Sequence, residues 1–437
     1  MDQDIKDINS TGNDRQRAVL IGIDFSDGDC ERSLEELSRL ADTAGADVLA
    51  IMSQKRDVPD VRTYLGRGKI DELKDFCKDN EIDLVISDDE LSGSQVKALE
   101  DILEIQVIDR TMLILDIFAS RAQSAEGSLQ VELAQLKYRL PRLLGMGLSL
   151  SRQGGSGGGK SRIGTRGPGE SKLETDRRHI RSRLVRLERE LEGVALRREL
   201  TRKKRRKDNY PIVALVGYTN AGKSTLMNCL CDSDVYVQDK LFATLDPTVR
   251  RINIDGSEIL MVDTVGFIRK LPHTLIEAFG STLEETLEAD LLLHVADISD
   301  PDVEKQIETV DKLMTKLEAI DIPRFLIMNK TDKAEKNPEQ KNIAETVVNT
   351  QLRNSDELIK VSAVTGEGIS ELKQKIIEFF QKDKKRVILL IPYENGGLIS
   401  FLHENGYVQA VSHEADGIMF DVILDKAEIS RVEKFIK

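Results

Sequence analysis

Ile212-Val-Ala-Leu-Val-Gly217-Tyr218-Thr219-Asn220-Ala221-Gly222-Lys223-Ser224-Thr225-Leu-Met-Asn-Cys-Leu230 decides the reading of this chain. An apolar run suited to a buried strand precedes a glycine-bounded loop, and a helix-forming segment follows it. The loop fits G-x-x-x-x-G-K-[ST], in which glycines let the backbone curl until its N–H groups face phosphate oxygens. Lys223 is the expected point charge on the β- and γ-phosphates, and Ser224 the expected hydroxyl on Mg2+. The strand before and the helix after make the match specific. A second string, Gly154-Gly-Ser-Gly-Gly-Gly159-Lys160-Ser161, fits the same pattern. No apolar strand leads into it, and RIGTRGPG behind it cannot open a helix, so a flexible tip is the expectation there.

Three further strings follow apolar runs downstream. Asp263-Thr264-Val265-Gly266 ends EILMV, about 40 residues after the loop. Asp263 suits Mg2+ held through water, and the Gly266 N–H suits the γ-phosphate. Asn329-Lys330-Thr331-Asp332 follows RFLIM. Asp332 can accept from N1–H and the N2 amine of guanine, a pair of donors that adenine lacks, so GTP is preferred over ATP. Asn329 can brace the loop, and the Lys330 stem can cover one face of the base. Ser362-Ala363-Val364 follows LIKV and suits a backbone contact to the guanine oxygen. Between loop and Asp263 lies Phe242-Ala243-Thr244-Leu245-Asp246-Pro247-Thr248, the expected first switch. Thr244 and Thr248 both qualify to sense the γ-phosphate. The expected nucleotide set is therefore 217–225, 242–246, 263–266, 329–332 and 362–364. Lys223, the switch threonine and Gly266 carry the chemistry. Phe267 stands where many such enzymes place a water-orienting glutamine. It can neither donate nor accept, so hydrolysis by this domain alone is expected to be slow. A water-positioning group must come from elsewhere in the chain or from a partner.

The chain has 437 residues, which implies several domains. An α/β fold is expected throughout. After a polar stretch (1–17), residues 18–125 alternate strand and helix, which predicts a small parallel sheet. In 126–208, Leu129, Leu133, Leu136, Leu140 and Leu143 share a 4-3-4-3 spacing with Ile180, Leu184, Leu187, Leu191 and Val194. That predicts a long antiparallel helical hairpin whose tip is 145–169. Residues 210–382 read as a doubly wound nucleotide-binding domain. Residues 386–437 read as a small α+β domain ending in a helix over 426–436.

Net charge is −13, so any nucleic-acid contact must be local. The tip carries four basic residues and no acid, namely Arg152, Lys160, Arg162 and Arg166. Residues 177–207 add 14 Lys/Arg against four Glu. Polyanion contact is expected along both. Absence of tryptophan argues against a base-stacking platform. The four cysteines have no zinc spacing and read as neutral thiols in a reducing cytosol. No apolar leader and no run of 18 apolar residues occurs, so a cytoplasmic protein without a membrane span is expected.

TYLGRGKIDEL (63–73), DR-x-x-LILDIFA-x-RA (109–122), EGSLQVELAQLKYRLPRL (126–143), GTRGPGESKLETDRR (164–178), FATLDPT (242–248) and DTVGF (263–267) closely resemble the HflX family of bacterial GTPases, nearly end to end. Ser161–Ile163 departs from the family as an insertion-like stretch in the tip. The resemblance implies binding to the large ribosomal subunit and its rRNA, by a protein that splits or rescues stalled ribosomes under stress. It implies hydrolysis stimulated by the ribosome, a monomer, and Thr244 as the Mg2+ ligand beside Ser224. It also implies possible ATP binding near Gly66-Arg67-Gly68-Lys69, where a plain turn into a helix is the simpler reading. Two other functions compete: an NTP-dependent RNA-remodelling enzyme, and a GTP-gated scaffold recruiting a protein through 386–437.

Overall fold

The structure, a computed structural model, describes residues 15–25, 28–153, 168–207, 210–231, 242, 248–254, 256–270, 272, 275, 287–336, 342, 345–346, 348, 350, 357–381 and 384–436. The chain divides into two compact units. Unit 1 comprises Met1–Leu191, Lys240–Phe242 and Arg269–Phe279, and unit 2 comprises Glu192–Asp239, Ala243–Ile268 and Gly280–Lys437. No helix among the described residues is long and apolar enough to cross a membrane.

Unit 1 holds a four-stranded parallel sheet built from β1 (Gln16–Asp24), β2 (Ala46–Lys55), β3 (Leu84–Ser87) and β4 (Gln106–Asp109), in the order β2-β1-β3-β4. Residues 18–23 of β1 are buried without alternation, because a parallel sheet is covered on both faces. Helix α1 (Cys30–Ala44) buries Leu34, Leu37, Leu40 and Ala41, the stripe its spacing predicts. Helix α2 (Arg67–Asp79) begins behind Gly66, whose N–H already donates to Gln54 Oε1 at 2.8 Å. Lys69 pairs with Glu72. Helix α3 (Gly93–Leu103) opens with a reciprocal Ser92–Gln95 capping box. Helix α4 (Arg110–Arg121) escaped the sequence reading. Its Leu113, Ile114, Leu115, Ile117 and Phe118 are all buried, so the segment shows no amphipathic period, and its cap, Asp109, accepting from Met112 N–H, lies inside the strand motif.

Helices α5 (Ala125–Gln153) and α6 (Pro168–Lys207) follow. Arg183 pairs with Glu132, and Lys137 with Glu188. The burial of α5 differs from the expected leucine seam. Val131, Ala134 and Tyr138 are buried with Leu133, whereas Leu129, Leu136 and Leu140 are only partly so. The reason is that α5 also packs on α3 and α4, which recruits a second face.

A charged network lies inside unit 1. Arg110, 1 % exposed, donates to Asp88 Oδ1 at 2.8 Å and pairs with Glu36. Lys270 donates to Asp88 and Asp89, each at 2.6 Å. Burial raises the Asp88 carboxyl, but Arg110 and then Lys270 outweigh it and hold it below its ordinary value.

Unit 2 contains a six-stranded mixed sheet: β5 (Ile212–Gly217), β6 (Thr248–Ile254), β7 (Ser257–Asp263), β8 (Leu291–Asp297), β9 (Arg324–Asn329) and β10 (Glu357–Lys360), in the order β10-β9-β8-β5-β7-β6. Only β6 runs antiparallel. Helices α7 (Lys223–Leu230), α8 (Val303–Lys316), α9 (Thr331–Ala334) and α10 (Ile369–Gln381) accompany it. One apolar core joins Leu226 and Met227 to Leu215, Leu293, Ile327 and Leu372. A three-stranded antiparallel sheet follows, β11 (Lys384–Ile391), β12 (Tyr407–Glu414) and β13 (Gly417–Asp425), ordered β11-β13-β12, with α11 (Gly396–Asn405). The last helix, α12, covers Lys426–Val432 and not 426–436. The chain turns through a 3-10 segment at Glu433–Phe435 so that Ile436 can bridge to Leu389.

Candidate guanine-nucleotide site

Strands β5, β7, β9 and β10 are parallel, so their carboxyl ends open on the same sheet edge, where ligands of open α/β sheets bind. The four sequence strings follow these four ends. Lys223 is buried, and its Nζ donates to the carbonyls of Gly217 (3.0 Å) and Tyr218 (2.8 Å). Burial draws its ammonium down to about 8, against the pull of Asp263. A phosphate at the loop would provide the counter-charge that this burial demands. Gly222 has φ +93°, and a Cβ there would meet Asn329 Nδ2 at 2.3 Å, so side chain and backbone conformation both require glycine.

The Ser224 hydroxyl donates to Asp263 Oδ2 at 2.7 Å. Two hard oxygen donors thus meet beside the loop, a set that fits Mg2+. The Thr264 hydroxyl instead donates to the Leu215 carbonyl at 2.6 Å inside the sheet, so this side chain belongs to the scaffold. Val265 is buried. Phe267, 2 % exposed, forms an isolated parallel bridge with Tyr218 of the loop. Its N–H donates to the Gly217 carbonyl (3.1 Å), and its own carbonyl accepts from Thr219 N–H (2.7 Å). The ring is therefore fixed in the interior.

Asn329 Nδ2 donates to the Ala221 carbonyl at 2.8 Å, while its Oδ1 accepts from Ala363 N–H at 3.1 Å. One side chain thereby ties three loops together, which is the bracing the sequence suggested. Lys330 Nζ donates to the Asn220 carbonyl (2.7 Å) and pairs with Asp297 (2.7 Å). Asp297 was missed by the sequence reading; its only signal was an acid closing the apolar run LLLHVA. The buried Ser362 hydroxyl donates to Asp332 Oδ1 at 2.7 Å, fixing the carboxylate that would read guanine. Thr331 is buried within α9, and Val364 is largely exposed.

Of the expected first switch only the edges, Phe242 and Thr248, lie among the described residues. Phe242 lies in unit 1 with its ring against Phe118, centroids 4.6 Å apart, so this apolar side chain is buried in a core and not available to a nucleotide. Thr248 opens β6 opposite Asp263. Ala243, Thr244, Leu245 and Asp246 lie outside the described residues, as do Lys160, Arg162 and Arg166 of the basic tip. Arg152 falls in α5, with its side chain outside the description.

Comparison with known proteins agrees along most of the chain. Residues 31–119 match the family described as GTP-binding GTPase N-terminal, and 121–205 the GTP-binding GTPase Middle Region. Residues 212–330 match 50S ribosome-binding GTPase, and 347–436 the HflX C-terminal domain. GTPase HflX of Caldanaerobacter subterraneus subsp. tengcongensis is 49% identical over 406 residues, covering 93% of this chain and 90% of that protein. GTPase HflX of Escherichia coli (strain K12) is 42% identical over 403 residues, covering 92% of each. A GTP-binding protein from the archaeon Sulfolobus solfataricus, solved in complex with GDP, has TM-score 0.45 and 24% identity, covering 84% of this chain and 99% of that one. A phosphate loop and guanine loop on one braced sheet edge, together with relatives of such identity over nearly the full length, show that the chain belongs to the HflX family and is a GTPase.

Proposed function

We propose that this GTPase works on the large ribosomal subunit, binding it in the GTP state and splitting or rescuing stalled ribosomes under stress. The observation that carries this reading is the match of residues 212–330 to 50S ribosome-binding GTPases. An exposed arginine face agrees with it: Arg178, Arg181, Arg186 and Arg189 line a shallow groove on α6 of an otherwise acidic chain. rRNA offers the dense phosphate that such a stripe attracts. Mg2+ would sit at Ser224 and Asp263, with Thr244 completing the shell. When bound it would supply positive charge against the phosphates. The protein is read as a cytoplasmic monomer, slow alone and stimulated by the ribosome; Phe267 itself cannot orient water.

The test is sedimentation of the intact chain with purified large subunits. Pelleting is expected with a non-hydrolysable GTP analogue and not with GDP, since switching requires different affinities in the two states. Equal pelleting in both defeats the proposal. Light scattering of intact ribosomes would then report splitting.

A further inference from the structure

If Phe267 cannot hold the attacking water, some other group must. Thr219 is 6 % exposed, and its hydroxyl oxygen has no hydrogen-bond partner among the described residues. A buried hydroxyl without a partner costs free energy unless a ligand satisfies it. The side chain that carries it is closely placed. A Cβ built on Gly266 would lie 2.9 Å from Thr219 Cα, 2.9 Å from Thr219 Cγ2 and 3.0 Å from Lys223 Nζ. The Thr219 methyl, which shares its carbon with the hydroxyl, therefore lies beside the Lys223 ammonium and Gly266. The Thr219 N–H is also bonded to the Phe267 carbonyl, which sets the threonine beside the residue that replaced glutamine. Gly266 must remain glycine because Thr219 fills the room a Cβ would need.

We infer that Thr219 is the catalytic residue that positions the attacking water in GTP hydrolysis. This rests on the reading of 217–224 as the phosphate loop. A hydroxyl offers one donor and two acceptor positions, so it can do what a glutamine amide does. It accepts an O–H from the water and donates its own O–H to a γ-phosphate oxygen. The water oxygen bonds to the γ-phosphorus, and the bond from that phosphorus to the β–γ bridging oxygen breaks, its electron pair leaving with GDP. One water proton passes to a γ-phosphate oxygen, giving inorganic phosphate. Thr219 neither gains nor loses a proton.

The experiment uses the full chain and Thr219→Val, which keeps the shape and removes the hydroxyl, with Thr219→Ser as rescue. Three quantities are read: single-turnover GTP hydrolysis, affinity for fluorescent GDP, and formation of the GDP–fluoroaluminate complex. T219V is expected to hold GDP within about three-fold, to lose roughly 100-fold in rate, and to form the fluoroaluminate complex at least ten-fold more weakly. T219S is expected to restore both losses. Wild-type rate and fluoroaluminate binding in T219V overturn the inference. If T219V also loses GDP, the pair T219S and Thr219→Ala decides, and equal rates in those two overturn it. Failure of the wild-type chain to bind GDP would strike the phosphate-loop reading itself, a distinguishable result.

Discussion

At Asp332 the proposed site asks a single carboxylate to separate two purines. Its geometry is set by a buried neighbour, the Ser362 hydroxyl at 2.7 Å, and the loop that carries it is tied to the phosphate loop through Asn329. Asp332→Ala is expected to weaken GTP by at least ten-fold and to leave GTP and ATP bound alike, since the two guanine donors lose their acceptor. Competition binding measures this, and preserved discrimination in the variant would refute the assignment. Ser362→Ala removes one hydrogen bond to a charged group. It should weaken GTP by about 1–2 kcal/mol, with ATP affinity nearly unmoved. Both residues could be picked from the sequence because a strand end restricts where a loop residue lies. Asp297 could not, because only folding brings β8 beside Lys330.

The long helix α6 shows the same limit at the scale of an element. Its length and charge were plain from 14 basic residues in 177–207. Which arginines share an exposed face was not, since that depends on what the opposite face covers. Leu187 is fully buried, while Arg181 and Arg189 are exposed. Arg181→Glu together with Arg189→Glu is expected to weaken large-subunit binding and to flatten its salt dependence by about one to two units of slope. GTP affinity should stay the same. An unchanged salt slope would place the rRNA contact elsewhere. For α5, the heptad leucines were legible, but the burial of Val131, Ala134 and Tyr138 came from packing on α3 and α4. A helix touching three neighbours cannot be described by one stripe.

Across the molecule, the charged network of unit 1 ties segments far apart in sequence: Glu36, Asp88, Arg110 and Lys270. The sign of its pH dependence follows from Asp88. Its folded value is depressed, so its stabilisation is present above the unfolded value near ~3.9 and is lost as pH falls through the folded value. The stability difference between wild type and Asp88→Asn should be constant at neutral pH and shrink below about pH 4. Denaturant melts across pH measure it, and a difference that grows on acidification would contradict the network. Arg110→Met takes the arginine away from buried Glu36 and leaves Asp88 with Lys270, and should cost about 3 kcal/mol or more. Lys270 adds an upper bound. Burial opposes its charge, but Asp88 and Asp89 raise it, so its contribution persists through neutral pH and fades only in strong alkali.

Local patterning alone determined the nucleotide class, each strand and helix of the alternation, and where the loop strings at the strand ends lie. Each of these is written within a dozen contiguous residues, where backbone geometry depends on immediate neighbours. Tertiary structure decided what contiguity cannot encode. It turned Phe242 into a core, gave the Thr264 hydroxyl to a strand, set Asp297 against Lys330, and packed the Thr219 methyl against Gly266. Those outcomes depend on which distant atoms a side chain meets, and only the closed sheet and its packed helices fix that.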